Sequence, residues 1–206
     1  MKRSIAVILF LAVSLAAIAG CYTMGDRHPI ATIKFSDGGT IRARLYPQYA
    51  PNTVANFIYL ANSGFYDGSP IHRIEEYSVI QMGISATEQT LDYTIEGEFS
   101  KNGFNKNSLE HKFGTLSMAR KGDLESGYDT ASTQFFIVSG SNAGRNFDGN
   151  YAAFGAIFET SSFDELTKIS RMDVDSNFYP RDEIYIESIT VDTFGKDYGE
   201  PKKIKN

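Results

Sequence analysis

Apolar and polar positions alternate through two early runs, Ile30-Ala31-Thr32-Ile33-Lys34-Phe35 and Thr40-Ile41-Arg42-Ala43-Arg44-Leu45, parted by Asp37-Gly38-Gly39. A period of two marks half-buried strands, and a glycine turn between two such runs is a hairpin signal. After Pro51 the period changes: Val54, Phe57, Ile58 and Ala61 form one helical stripe, which Gly64 should end. A second helix is expected at Ser162 and Glu165, which form a capping box, with Phe163, Leu166 and Ile169 on one side. Further short strands are expected over Thr115 to Ala119, Phe135 to Ser139, Ala153 to Phe158 and Glu183 to Val191. Many short strands, glycine-rich turns and only two helices predict a mainly β fold, a closed antiparallel barrel. Asp197 to Asn206 is polar with no apolar period and is expected to be a loose tail.

The first thirty residues follow a different rule. Met1-Lys2-Arg3 is a basic start, and the apolar run from Ile5 to Ala19 is short for a spanning helix but has the layout of a secretory signal. It ends Ile18-Ala19-Gly20-Cys21, which resembles a bacterial lipobox, so Cys21 is the expected lipidation site and new N-terminus. Ordinary cleavage after Ala17-Ile18-Ala19 is the competing reading. Cys21 is the single cysteine, which excludes an internal disulfide. The expected organisation is a signal over residues 1–20, a short tether over 21–29, one domain over 30–195 and a polar tail over 196–206. A 42% hydrophobic, 13% aromatic composition is enough to fill that one core. Loss of Lys2 and Arg3 with the signal takes the formal charge from −5 to −7. Such an acidic domain argues against nucleic acid as a partner, and it leaves membrane attachment to the lipid alone.

Candidate chemistry concentrates in Ile71-His72-Arg73-Ile74-Glu75-Glu76-Tyr77-Ser78-Val79-Ile80-Gln81-Met82-Gly83. If the two apolar runs are strands joined by a bend at Glu75-Glu76, Arg73 and Gln81 converge on one surface. A guanidinium there is a fixed donor that does not lose its proton, which limits the chemistry to electrostatic stabilisation or binding. Taken alone, Arg73 reads as a surface ion-pairing residue. No nucleophile elbow and no histidine pair at ligand spacing is present, so neither a hydrolase nor a metal site is supported, and no cofactor is expected.

This stretch resembles the signature of the cyclophilins, the peptidyl-prolyl cis-trans isomerases. Gly114 to Arg120, Ser132 to Ile137 and Phe147 to Gly155 resemble three further blocks of that family, in its order and at roughly its spacing. The resemblance implies eight strands in a barrel with a helix over each end, and proline-containing polypeptides as partners of a monomer. It implies Arg73 as the catalytic donor, Gln81 as its orienting neighbour and Gln134 as a partner of the peptide backbone. Phe136 would line the proline pocket, with Val79, Met118, Phe147 and Phe154 as further walls. Ala119 would leave room for the residue before proline, the Arg120 backbone would pair with it, and His72 and Tyr151 would border the pocket. The family usually has Phe-Met where this chain has Ser78-Val79, and an aromatic residue or His at Asn146. Weaker catalysis and poor cyclosporin binding are therefore expected. The first reading is an extracytoplasmic, membrane-anchored isomerase. The alternatives are a proline-binding chaperone or scaffold with little turnover, and a docking protein that uses acidic loops on an inert barrel.

Overall fold

The computed structural model describes residues 27–87, 91–122, 125–141 and 143–205. The expected signal, the lipobox and Cys21 lie outside the described residues. Strands β1 (Ile30–Phe35) and β2 (Thr40–Leu45) form the expected hairpin, and Ala31, Ile33, Phe35, Ile41, Ala43 and Leu45 all turn inward. Gly38 takes a φ of 85° in its turn, a conformation that glycine adopts without a steric cost. Helix α1 (Pro51–Asn62) follows, its apolar stripe against the core, and the chain leaves it through Gly64 at φ 71°.

The other strands are β3 (Arg73–Glu75), β4 (Val79–Met82), β5 (Tyr93–Thr94), β6 (Thr115–Met118), β7 (Phe135–Val138), β8 (Ala153–Ile157), β9 (Ile186–Asp192) and β10 (Ile204–Lys205). Eight of them make one antiparallel sheet in the order β3-β4-β7-β6-β8-β2-β1-β9, curled around the apolar core. The barrel expected to be closed is instead a half-barrel. Its edge strands β3 and β9 do not pair; on the free edge of β3 the Ile74 amide donates to the Phe178 carbonyl at 2.9 Å instead. The gap is spanned by the isolated bridge Pro70–Tyr185, with the Ile71 amide donating to the Ile184 carbonyl at 3.0 Å.

Helix α2 (Thr160–Ser170) packs on β2, but Ser162 does not cap it. The cap position is Glu159, and the Ser162 hydroxyl accepts the Arg42 amide at 2.9 Å, tying the helix to the sheet. The tail is not loose. β10 pairs with β5, the Lys202 amide donates to Asn52 Oδ1 at 2.6 Å, and Lys203 Nζ lies 4.7 Å and 5.0 Å from the ring centres of Tyr59 and Tyr93. Its polar side chains hid this because the fastening runs through backbone and cation–π contacts, which leave no apolar period.

Candidate active site

Strand alternation divides the sheet into an inner and an outer set. Ile74, Ile80, Leu116, Met118, Phe135 and Ile137 enter the core, while their neighbours Arg73, Gln81, Phe136 and Ser117 turn to the other face. The register sets these four in one transverse row: Arg73 is opposite Gln81, Gln81 opposite Phe136, and Phe136 opposite Ser117. Arg73 Nη1 donates to Gln81 Oε1 at 3.3 Å, and Gln81 Nε2 donates to Gln134 Oε1 at 2.9 Å. Gly83 makes this approach possible: at φ 95°, a side chain there would meet the Thr133 carbonyl at 2.8 Å. Arg73 also pairs with the Glu75 carboxylate.

Beside the polar row lies a small apolar cluster, separate from the core. Val79, Phe136 and Val138 form it, with Ala119, Phe147 and Tyr151 packed on them. The rings of Phe136, Phe147 and Tyr151 are mutually 5.2–5.5 Å apart at tilted or perpendicular angles, which are favourable aromatic geometries. Next to it is a depression of about 140 Å³ lined by Ala119, Arg120, Thr130, Ser132 and Gln134, among others.

His72 borders the polar row, half-buried, its amide donating to the Gln81 carbonyl at 3.1 Å. Burial pushes its pKa below the ordinary imidazole value, against the opposing effects of the Pro70 carbonyl and Gln134. The Arg120 side chain is occupied. Its guanidinium stacks 4.6 Å from the Tyr151 ring centre and 5.2 Å from Tyr128, and Nε donates to the Asn150 carbonyl at 2.9 Å. That contact pins the 125–131 segment to a wall of the apolar cluster.

Two expected walls fall elsewhere. Phe154 is fully buried against Phe57, with ring centres 5.1 Å apart, and Met118 is 1% exposed in the same core. Both stand at inward positions of their strands, so the sheet's backbone separates them from the outer face. The ion pair of Glu75 with Arg73 follows from their two-residue spacing on β3, which puts both side chains on one face; the expected bend at Glu75-Glu76 leaves it out.

A family model described as cyclophilin type peptidyl-prolyl cis-trans isomerase/CLD matches residues 30–191. The chain belongs to this family. It is 39% identical over 140 residues to peptidyl-prolyl cis-trans isomerase B of Bacillus subtilis, covering 67% of this chain and 88% of that one. A Streptococcus pyogenes protein named for a phosphatase and a peptidyl-prolyl cis-trans isomerase is 31% identical over 188 residues, 79% of this chain; the match spans 38% of that longer protein. Among solved structures, a Cryptosporidium parvum cyclophilin superposes with a TM-score of 0.67 at 25% identity, covering 81% of this chain and 98% of the other.

In this cyclophilin, Ser78 and Asn146 are the positions where the resemblance implies aromatic residues. Ser78 is half-buried beside Val79, and its carbonyl accepts the Ser139 amide at 2.8 Å. The aromatic surface of the cluster comes from Phe136, Phe147 and Tyr151. Asn146 is exposed, and its carbonyl accepts the Asn150 side-chain amide at 3.0 Å.

Proposed function

We propose that this cyclophilin accelerates cis–trans isomerisation of X–Pro bonds in proteins folding outside the cytoplasm, held at a membrane by lipid on Cys21. The observation that carries the isomerase reading is the row Arg73–Gln81–Gln134 beside the apolar cluster around Phe136. Rotation about the bond must break amide resonance, a barrier of about 18–20 kcal/mol. In the twisted state the proline nitrogen is pyramidal and regains a lone pair. A guanidinium beside it binds that state better than the planar one, and such differential binding lowers the barrier. Gln81 orients the guanidinium, Gln134 bonds the peptide backbone, and Phe136, Val79, Phe147 and Tyr151 take the proline ring out of water. No step needs a proton carrier.

A second reading draws on two observations. The Glu75 carboxylate offsets part of the Arg73 charge, and Ser78, next to Val79 of the apolar cluster, offers a hydroxyl and no ring. A site weakened in this way binds proline segments with little turnover, as a chaperone or scaffold. Ser78, Val79 and Asn146 together also support weak cyclosporin binding.

Exchange NMR of an Ala-Pro peptide with the domain from Thr23 onward decides between the two readings. The isomerase reading expects acceleration in the wild type that falls by about 10²–10³ in Arg73→Ala, the range for losing one stabilising donor, with peptide affinity little changed. Binding without acceleration in the wild type supports the scaffold. Anchoring is tested separately by fractionating cells: Cys21→Ser is expected to move the protein from the membrane pellet to the soluble fraction. Retention in the pellet would count against the lipid.

A further inference from the structure

Beneath Phe136 lies a buried imidazole that the isomerisation chemistry does not use. His111 is 4% exposed. Its ring stacks on Phe136, 6.2 Å between centres and 17° between planes, and meets Phe147 edge-on at 5.8 Å. Nδ1 is 2.9 Å from Asp148 Oδ1, and Nε2 is 2.9 Å from Ser117 Oγ. An ionised carboxylate only accepts, so Nδ1 carries the proton and Nε2 of the neutral ring accepts the Ser117 hydroxyl. Asp148 Oδ1 also accepts the His111 amide at 2.8 Å, which locks the backbone to the same carboxylate. Gly144 closes the other side: a side chain there would meet the His111 carbonyl at 1.5 Å.

The order Ser–His–Asp is that of a nucleophilic triad, but Ser117 is fully buried and no substrate carbonyl reaches it. What the chain of bonds does is hold one flat ring against the two phenyl groups of the prolyl cluster. We propose that His111 is a positioning residue of the prolyl pocket, kept neutral between Ser117 and Asp148, and that its protonation disables the pocket.

A proton on Nε2 turns that atom into a donor, so the Ser117 hydroxyl must turn away and leave its partner. It also puts a charge in an apolar site, and the exposed side of Asp148 is the nearest place where that charge can be solvated. Phe136 and Phe147 then lose the ring that backs them. The charged groups around His111 are few. Asp148 is bonded to it, Lys112 is paired with Glu110 and feels Asp148, and Arg145 stands on the 143–146 turn. Strands β6 and β7 face it with uncharged side chains, Ser117 and Phe136. Burial pushes the His111 pKa below its ordinary value, and Asp148 pulls it the other way. A native pKa below the unfolded value makes the neutral form the stabilising one. That stability is complete above about pH 6.5 and is lost as pH falls through the native pKa.

The kinetic part of this inference rests on the isomerase reading; the spectroscopic part does not. The experiment follows the His111 and His72 imidazole signals and the Phe136 ring signals by NMR between neutral and acid pH, with kcat/KM for the Ala-Pro peptide at each point. The Phe136 signals are expected to move with His111, and kcat/KM to fall tenfold to a hundredfold over the same titration, about what misplacing a supporting group costs. Asp148→Asn keeps an acceptor for Nδ1 but removes the charge that favours imidazolium, so both curves should shift to lower pH. Phe136 signals indifferent to His111, an acid limb that follows His72, or an unmoved limb in Asp148→Asn each overturn the proposal. A wild type that does not turn over at any pH overturns the isomerase reading alone, and the Phe136 signals still decide the role of His111.

Discussion

Ser78 adjoins Val79 of the apolar cluster and carries no ring. Its neighbour Val79 is 3% exposed and already packed, and the adjoining Ser139 hydroxyl is buried with no hydrogen-bond partner among the described residues. A phenyl group at position 78 would add apolar surface where a proline ring is expected to lie. Burying a large side chain is worth about 1.5–3 kcal/mol, or tenfold and more in affinity. Ser78→Phe is therefore expected to lower the KM for Ala-Pro peptides about tenfold, in the same exchange assay. An unchanged KM would mean that Phe147 and Tyr151 already complete the wall. The parity of strand positions explains which residues could be read from the sequence. Arg73 and Gln81 pair across a short turn, so their meeting follows from the strand pattern. Phe135 and Phe136 had to face opposite ways, and they do. Phe154 and Met118 were misplaced because being near a signature block says nothing about which side of a strand a residue takes. His111 and Ser117 are six residues apart but Asp148 lies 37 beyond His111, and no local period links the three.

Helix α1 begins with a fault that a distant segment repairs. Pro51 suits its first turn, but Ala50 at the cap position has no side chain to offer the free amides. Glu98, which is 2% exposed, supplies both acceptors. Oε1 takes the Asn52 amide at 3.0 Å and Oε2 the Thr53 amide at 2.8 Å. A carboxylate at a helix N-terminus is also favoured by the dipole. Glu98→Ala is expected to cost about 1–2 kcal/mol, the range for a lost cap, read as a lower Tm. Burial raises the Glu98 pKa above its ordinary 4.5, with the two amides opposing. The folded state therefore holds this proton more tightly than the unfolded chain, and protonation stabilises the fold as pH falls through the raised pKa toward 4.5. The deficit of Glu98→Ala should widen over that window, and a constant deficit would argue against a raised pKa. The helix itself was legible from its apolar stripe and its glycine stop. Its cap was not, because the acceptor comes from another part of the chain. Ser162 shows the reverse: a good capping sequence whose hydroxyl is taken by the Arg42 amide.

The C-terminal strap connects the far side of α1 to the candidate site. β10 pairs with β5, and the Tyr93 carbonyl of β5 accepts the Ser132 hydroxyl at 3.1 Å. The Tyr93 hydroxyl donates to Asn56 Oδ1 at 3.0 Å, and Asn56 Nδ2 donates to the Ser132 carbonyl at 2.7 Å. Two residues on is Gln134, which holds Gln81. The strap thus braces the segment on which Gln134 stands, and its loss should reach the candidate site without any change in the site itself. A chain stopped after Gly199 loses β10, the Asn52–Lys202 bonds and the Lys203 contacts. Counting only the two Asn52–Lys202 hydrogen bonds, at about 1 kcal/mol each, puts the loss at about 2 kcal/mol. For a chain of this size that is a Tm lower by about 4–8 °C. The Ile95 amide, which donates to the Ala131 carbonyl at 2.8 Å, should exchange faster with solvent. Peptide KM should rise by more than kcat falls, because Gln134 is loosened directly and Arg73 only through Gln81. An unchanged Tm with unchanged Ile95 exchange would show that the strap rides on the surface without bracing anything. A lower Tm with unaltered KM would confine its role to stability and break the link to Gln134.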